Sequence, residues 1–170
     1  MICLSSCAYS VFLRPFWLAS VVILCGCGRS EVTQESSSMS PTIQPGQIVA
    51  LDRRAYRKAL ICRWDVIAFR PPRLPDQLWI SRVVGLPGED VSLTNGNLLV
   101  NGRQLAFPLS LANFHYTEGT GATVKPIHYP IRLGSNSYLV LGDNSSRAND
   151  SRYVGPIERQ MIVGRIDVAK

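Results

Sequence analysis

Ser36-Ser37-Ser38-Met39-Ser40-Pro41-Thr42-Ile43-Gln44-Pro45-Gly46-Gln47-Ile48-Val49 is the stretch on which the reading of the whole chain turns. Pro41 biases Ser40 toward an extended backbone, and Pro45-Gly46 supplies proline and glycine at the two central positions of a type II turn. The serines therefore sit on an irregular loop, and the loop opens into a strand over Gln47 to Leu51. Composition alone would suit a polar linker equally well. The order of the residues, Ser-Met-x-Pro-Thr-Ile, is what gives the segment a chemical reading.

Upstream, Val11-Phe12-Leu13 and Phe16 to Gly28 are apolar around Arg14-Pro15, with Ser20 the one polar residue of the second run. That run is shorter than the roughly 20 residues a spanning helix needs. Two readings of residues 1–28 follow. As a membrane anchor the segment recruits Cys7 to Leu13 and lets Arg14 snorkel, with Pro15 tolerated at a helix start. As a secretory segment it ends in Leu24-Cys25-Gly26-Cys27, which resembles the lipobox of bacterial lipoproteins and makes Cys27 the lipidation candidate. Either way the domain is tethered to a membrane on its extracytoplasmic face. Residues 29–35 read as a polar spacer holding Ser38 near the bilayer, and residues 36–170 as the domain.

The length of 170 residues suits one domain. With 46% hydrophobic and 18% charged residues the chain is globular rather than disordered. Its net charge of +6 comes from 15 Arg and three Lys spread along the chain, without a basic helix or interleaved aromatics. Anionic lipid headgroups are therefore the expected partner of this charge, and nucleic acid is not. Arg53 to Lys58 is the densest basic segment. Of the five cysteines only Cys62 lies beyond residue 28, which excludes an internal disulfide framework for the domain, and no CxxC pair suggests a metal. No metal or cofactor is expected.

Downstream the pattern is β throughout. Arg63 to Phe69 alternates and stops at Arg70-Pro71-Pro72; Leu78 to Val84 is the next strand, closed by Leu86-Pro87-Gly88-Glu89. Val91 to Leu105 holds Asn95-Gly96 and Asn101-Gly102 between short apolar runs, which predicts a three-strand meander. Residues 107–136 are the least patterned and carry His115 and His128, with a loop tip at Gly119-Thr120-Gly121. Ser137 to Leu141 reads as a buried strand running into Gly142-Asp143-Asn144, and Met161 to Val168 as the last strand. With no sustained 3.6 period after residue 30, the fold is mostly β.

Ser38-Met39-Ser40-Pro41-Thr42-Ile43 resembles the nucleophile box of type I signal peptidases, in which the serine before the methionine attacks the peptide bond. Four further segments resemble that family's pattern, in its order: Arg63 to Phe69, with Trp64 where glycine is usual; Arg82-Val83-Val84-Gly85-Leu86-Pro87-Gly88-Glu89; the meander ending at Val100-Asn101-Gly102; and Gly142-Asp143-Asn144 followed by Asp150-Ser151-Arg152 and Gly155. The resemblance implies a signal-peptidase-like β-sheet domain behind one N-terminal membrane segment, and it favours the uncleaved anchor. It implies Ser38 as nucleophile, an oxyanion hole from the Ser38 N–H and the Ser36 hydroxyl, an Arg82–Asp143 pair and a second charge pair, Asp150 with Arg152.

The family's general base is a lysine that works as the neutral amine, its pKa lowered by burial. In this chain that position is Ser81, and the position of the hydroxyl that orients the lysine is Ala148. Both halves of one proton-transfer unit are replaced. Arg82 offers no lone pair, and His115, His128 and Lys125 come only from the variable region. Two functions follow: a serine endopeptidase acting on the signal peptides of exported preproteins, impaired by loss of its base, or a non-catalytic relative that binds signal peptides or an active signal peptidase. Self-cleaving repressor-type β domains share Ser-Lys chemistry, but the order of the boxes and the lack of a DNA-binding helical module count against them.

Overall fold

The computed structural model describes residues 29–111, 114–118 and 127–168. The segment 1–28, with Cys27 and the anchor or lipobox readings, lies outside the described residues, as does Lys125. Among the described residues no helix is long and apolar enough to cross a membrane.

Among the described residues, eleven strands form two antiparallel sheets. β1 (Arg29–Thr33), β2 (Ile48–Asp52), β3 (Val66–Phe69) and β4 (Trp79–Gly85) lie in the larger sheet. β5 (Asp90–Thr94), β6 (Asn97–Val100), β7 (Arg103–Gln104) and β8 (Ile131–Arg132) make the smaller one, ordered β7-β6-β5-β8. β9 (Ser137–Leu141), β10 (Ile157–Glu158) and β11 (Ile162–Asp167) complete the larger sheet, ordered β1-β2-β11-β3-β4-β9-β10. A short α-helical turn, α1 (Ser151–Val154), follows β9.

The meander forms where its two Asn-Gly turns predict it. Asn95, Gly96, Asn101 and Gly102 all take positive φ, the conformation that tight hairpin turns need. Gly46 and Gly88 also have positive φ after their prolines. The first of these turns closes the Ser38 loop into β2, and the second carries the chain from one sheet to the other.

Two expectations are corrected. Residues 29–35 are not a free spacer: Arg29–Thr33 pairs residue for residue with Ile48–Asp52. Alternation explains it, since Arg29, Glu31 and Thr33 are exposed while Val32 packs on the core. The strand expected from Arg63 begins only at Val66, because Trp64 has φ 75°, outside strand geometry. Arg63 to Asp65 instead make a turn in which Asp65 accepts from the Cys62 N–H (2.9 Å) and the Tyr56 hydroxyl (3.0 Å).

Three packed clusters hold the sheets. Met39, Ile43, Val49, Leu51, Val66, Ala68, Ile80 and Ile166 anchor the Ser38 loop to the large sheet. Val84, Val91, Leu93, Leu98, Tyr116, Leu133, Leu139 and Leu141 join the two sheets. Ile61, Ile67, Phe69, Val83, Val140, Ile157 and Ile162 lie on a third apolar face. Burying such side chains is worth about 1.5–3 kcal/mol each, so Met39, fully buried, is a strong tether for its neighbour Ser38.

Candidate active site

Ser38 sits in a single 3₁₀ turn, Ser37–Met39, directly after β1. Ser36 caps that turn, its Oγ accepting the Ser38 N–H at 3.4 Å. Pro41 ends it, and Ser40 is extended as expected of a residue before proline. The Ser36 Oγ lies 3.0 Å from the Ser38 Oγ. A second donor reaches the same oxygen: Gln34 Nε2 is 3.0 Å from Ser38 Oγ, 2.8 Å from the Ser36 carbonyl oxygen and 3.2 Å from Ser36 Oγ. Sequence reasoning missed Gln34 because it lies upstream of the recognisable box, in a stretch read as linker. Its spacing four residues before Ser38 is the one hint the sequence holds.

Ser36 and Ser38 open onto a cleft of about 730 Å³ between the Val32–Ser36 segment and Asp76–Ile80, with Arg147 and Asn149 on its rim. Glu35, Asp76 and Arg147 give that rim both signs of charge. Ser36 and Ser38 line the cleft, whereas Ser81 and Ala148 do not. Ser81 is 2% exposed on β4, paired with Ile67, and by alternation shares the face of Val83 and Val140. Ala148 is 5% exposed, and its Cβ faces Gly142. Gly142 in turn abuts the Ser38 carbonyl, so Ala148 stands one residue's thickness behind the Ser38 loop.

Asp143 and Asn144 lock this loop to the sheet. The Asn144 N–H donates to the Ser38 carbonyl (2.9 Å), and Asn144 Nδ2 donates to that of Ser37 (3.1 Å). Arg82 forms a two-pronged pair with Asp143, Nε to Oδ1 at 2.8 Å and Nη2 to Oδ2 at 2.6 Å, and donates to the Trp64 carbonyl at 2.9 Å. The Thr42 hydroxyl donates to Asp143 Oδ2 and the Tyr116 hydroxyl to Oδ1 (3.2 Å). Burial alone would depress the Arg82 guanidinium; the hydrogen bond and charge of Asp143 more than offset it and hold it above its usual value. Arg82 is thus a fixed cation and no base.

Asp150 and Arg152 are fully buried and bound through Nε–Oδ1 (2.9 Å) and Nη2–Oδ2 (2.7 Å). Asp150 also accepts from the Gly142 N–H (2.9 Å), while Arg152 Nη1 donates to Ser145 Oγ (2.6 Å) and the Thr117 carbonyl (3.0 Å). Both pairs therefore shape the Gly142–Ser145 segment on which the Ser38 loop rests. Held by this many hydrogen bonds, a buried pair of this kind positions its neighbours; removing one partner leaves an uncompensated charge.

Among the described residues, nothing basic at neutral pH hydrogen-bonds Ser38. His115 is exposed beside a separate, shallow depression with Ser40, Pro41 and Asn144, and His128 is exposed elsewhere. Among the described residues there is also no cluster of side chains fit to hold a metal ion.

The family pattern of signal peptidases, peptidase S26, matches residues 8–169. The chain belongs to that family. It is 34% identical over 140 residues to signal peptidase I V of Bacillus subtilis, a match covering 80% of this chain and 82% of that protein. It is 31% identical over 167 residues to signal peptidase IB of Staphylococcus aureus, covering 88% and 85%. A signal peptidase I structure from Enterococcus faecalis V583 superposes with a TM-score of 0.51 at 34% identity, covering 63% of this chain and 97% of that one. Ser38 and Ser81 both lie within the matched residues.

Proposed function

We propose that the chain is a membrane-tethered, signal peptidase I-like serine endopeptidase that acts on the signal peptides of exported preproteins, its rate held down by the absence of a lysine at position 81. The observation that carries this reading is the surroundings of Ser38 Oγ: a hydroxyl and an amide N–H within hydrogen-bond reach and, among the described residues, no amine or imidazole. Ser38 is the nucleophile, and its N–H with the Ser36 hydroxyl is the oxyanion hole. Those two groups are bonded to each other at 3.4 Å at rest, a long contact that a developing oxyanion would displace. The cleft beside them admits an extended peptide next to Asp76–Ile80.

A preformed cleft without a base also suits the second reading, a non-catalytic relative that binds signal peptides or an active signal peptidase. The two are separated by restoring the base. Position 81 faces Ile67, Val83 and Val140, an apolar setting that depresses an amine toward neutrality. Ser81→Lys combined with Ala148→Ser should raise cleavage of a signal-peptide substrate by roughly the 10²–10⁴-fold that a positioned general base supplies. Adding Ser38→Ala must remove the gain. A binding-only protein would instead retain the peptide and stay inactive in all three forms. Intact-mass measurement settles the tether: a chain running from Met1 supports the anchor, and a diacylglyceryl mass on Cys27 the lipoprotein.

A further inference from the structure

We propose that the Gln34 side-chain amide is part of the reacting centre: a buried donor that stabilises the Ser38 oxygen as the alkoxide, in a site where no base among the described residues bonds that oxygen. This rests on the reading of Ser38 as nucleophile. Gln34 is 5% exposed, and its backbone is pinned on both sides, its N–H to the Gln47 carbonyl (2.9 Å) and its carbonyl to the Gly46 N–H (2.7 Å). The side chain is therefore delivered from the end of β1 by a fixed backbone.

The orientation of the amide follows from its partners. The Ser36 carbonyl oxygen, 2.8 Å away, can only accept, so the nitrogen faces it. The second hydrogen of that nitrogen then points at Ser38 Oγ, 3.0 Å away, with Ser36 Oγ next at 3.2 Å. Together with the Ser36 hydroxyl, Ser38 Oγ receives two donors. On a neutral hydroxyl two donors occupy both lone pairs. On an alkoxide, which has three, they leave one for attack. The arrangement therefore favours the ionised form, and hydrogen bonds to a charged group are the stronger ones.

The reaction that follows is balanced by solvent. Hydroxide takes the Ser38 proton, the oxygen attacks the scissile carbonyl carbon while the Gln34 amide and the Ser36 hydroxyl hold its charge until the new bond forms, and the C–N bond then breaks as the leaving amine takes a proton from water, regenerating hydroxide. With no titrating partner at neutral pH, the rate rises with hydroxide concentration.

The test uses the full-length chain and a small alkyl fluorophosphonate, followed by mass spectrometry of the Ser38 peptide from pH 6 to 10. The Ser38 Oγ–phosphorus bond forms, the phosphorus–fluorine bond breaks, fluoride leaves and the serine proton goes to hydroxide. The expected rate climbs about tenfold per pH unit. Gln34→Met keeps the length and loses the donor, and should label roughly ten- to a hundred-fold more slowly with the same slope, the factor a hydrogen bond to a charged group commands. Gln34→Glu places an acceptor against the hydroxyl and should flatten the profile between about pH 6 and 8, as a carboxylate base would. Equal rates for wild type and Gln34→Met, or an unflattened profile for Gln34→Glu, overturn the role of Gln34 while leaving Ser38 as nucleophile. Absence of Ser38 labelling in wild type at every pH overturns both, and Ser38→Ala identifies that case by giving the same result.

Discussion

Gly142 stands where the loop carrying Ser38 meets the segment carrying Ala148. A Cβ there would collide with the Ala148 Cβ and lie 2.7 Å from the Ser38 carbonyl oxygen. Neither neighbour can yield cheaply, since one is backbone and the other is on a buried residue. Gly142→Ala should therefore cost about 1–3 kcal/mol, as overpacking does, and displace Ser38 from the Asn144 N–H. Urea titration reads the first, and Ser38 labelling the second; an unchanged midpoint would mean the two segments are not in contact. Trp64 poses the opposite trade. Its φ of 75° explains why family members favour glycine there, and its ring lies 5.3 Å from that of Phe107. Trp64→Gly relieves about 1 kcal/mol of backbone strain but loses half-buried aromatic packing, so a net loss of roughly 1–2 kcal/mol is expected. A rise in stability would show that strain outweighs the ring. Arg82, Asp143, Asp150 and Arg152 were legible as pairs because the boxes name them. Gln34 was not, since a side chain that works by folding back on its own loop leaves no periodic or spaced signature.

The strands that were legible are those bounded by turn chemistry: Asn-Gly on both sides of β6, Pro-Gly before β2 and β5, Gly142 after β9. β1 was not, because a five-residue edge strand with one half-buried apolar side chain looks like a polar linker until its partner is known. Its pairing has a further consequence. Arg29 lies opposite Asp52, so residues 1–28 join the domain beside the turn that follows β2. That turn exposes Arg53, Arg54, Arg57 and Lys58, with Leu60 87% exposed just beyond. Four cations near an anionic leaflet are worth about 1 kcal/mol each, and Leu60 adds apolar contact. An environment-sensitive dye on the exposed Cys62, with Cys3, Cys7, Cys25 and Cys27 changed to serine, should shift to the blue in phosphatidylglycerol vesicles and much less in phosphatidylcholine. Reversing the four charges should abolish the difference. Equal spectra in both lipids would remove this turn from the membrane surface.

At the scale of the whole molecule, both sheets and the active end share a small number of buried phenols. Tyr116 lies fully buried in the cluster joining the sheets and donates to Asp143, which holds Arg82. Tyr129 is packed against the same cluster, its hydroxyl without a hydrogen-bond partner among the described residues. Burial raises the pKa of both phenols above the usual value, reinforced by the charge of Asp143 for Tyr116 and of Asp150 for Tyr129. A group whose folded pKa lies above its unfolded one contributes stability that is complete below the unfolded value, near 10, and is lost as pH rises beyond it. The urea midpoint should therefore not change on account of these phenols between pH 7 and 9. Above pH 10 stability should fall by up to about 1.4 kcal/mol per pH unit for each phenol, because the unfolded chain ionises freely while the folded one cannot. Tyr116→Phe separates the contributions. It removes one hydrogen bond, about 1 kcal/mol at neutral pH, and should lower the alkaline slope by about a third, because Tyr56, half-buried with its hydroxyl bonded to Asp65, is held above its usual value as well. A wild-type midpoint that stays level to pH 11 would mean that neither phenol is buried as described, and with it the packing of the two sheets around Asp143.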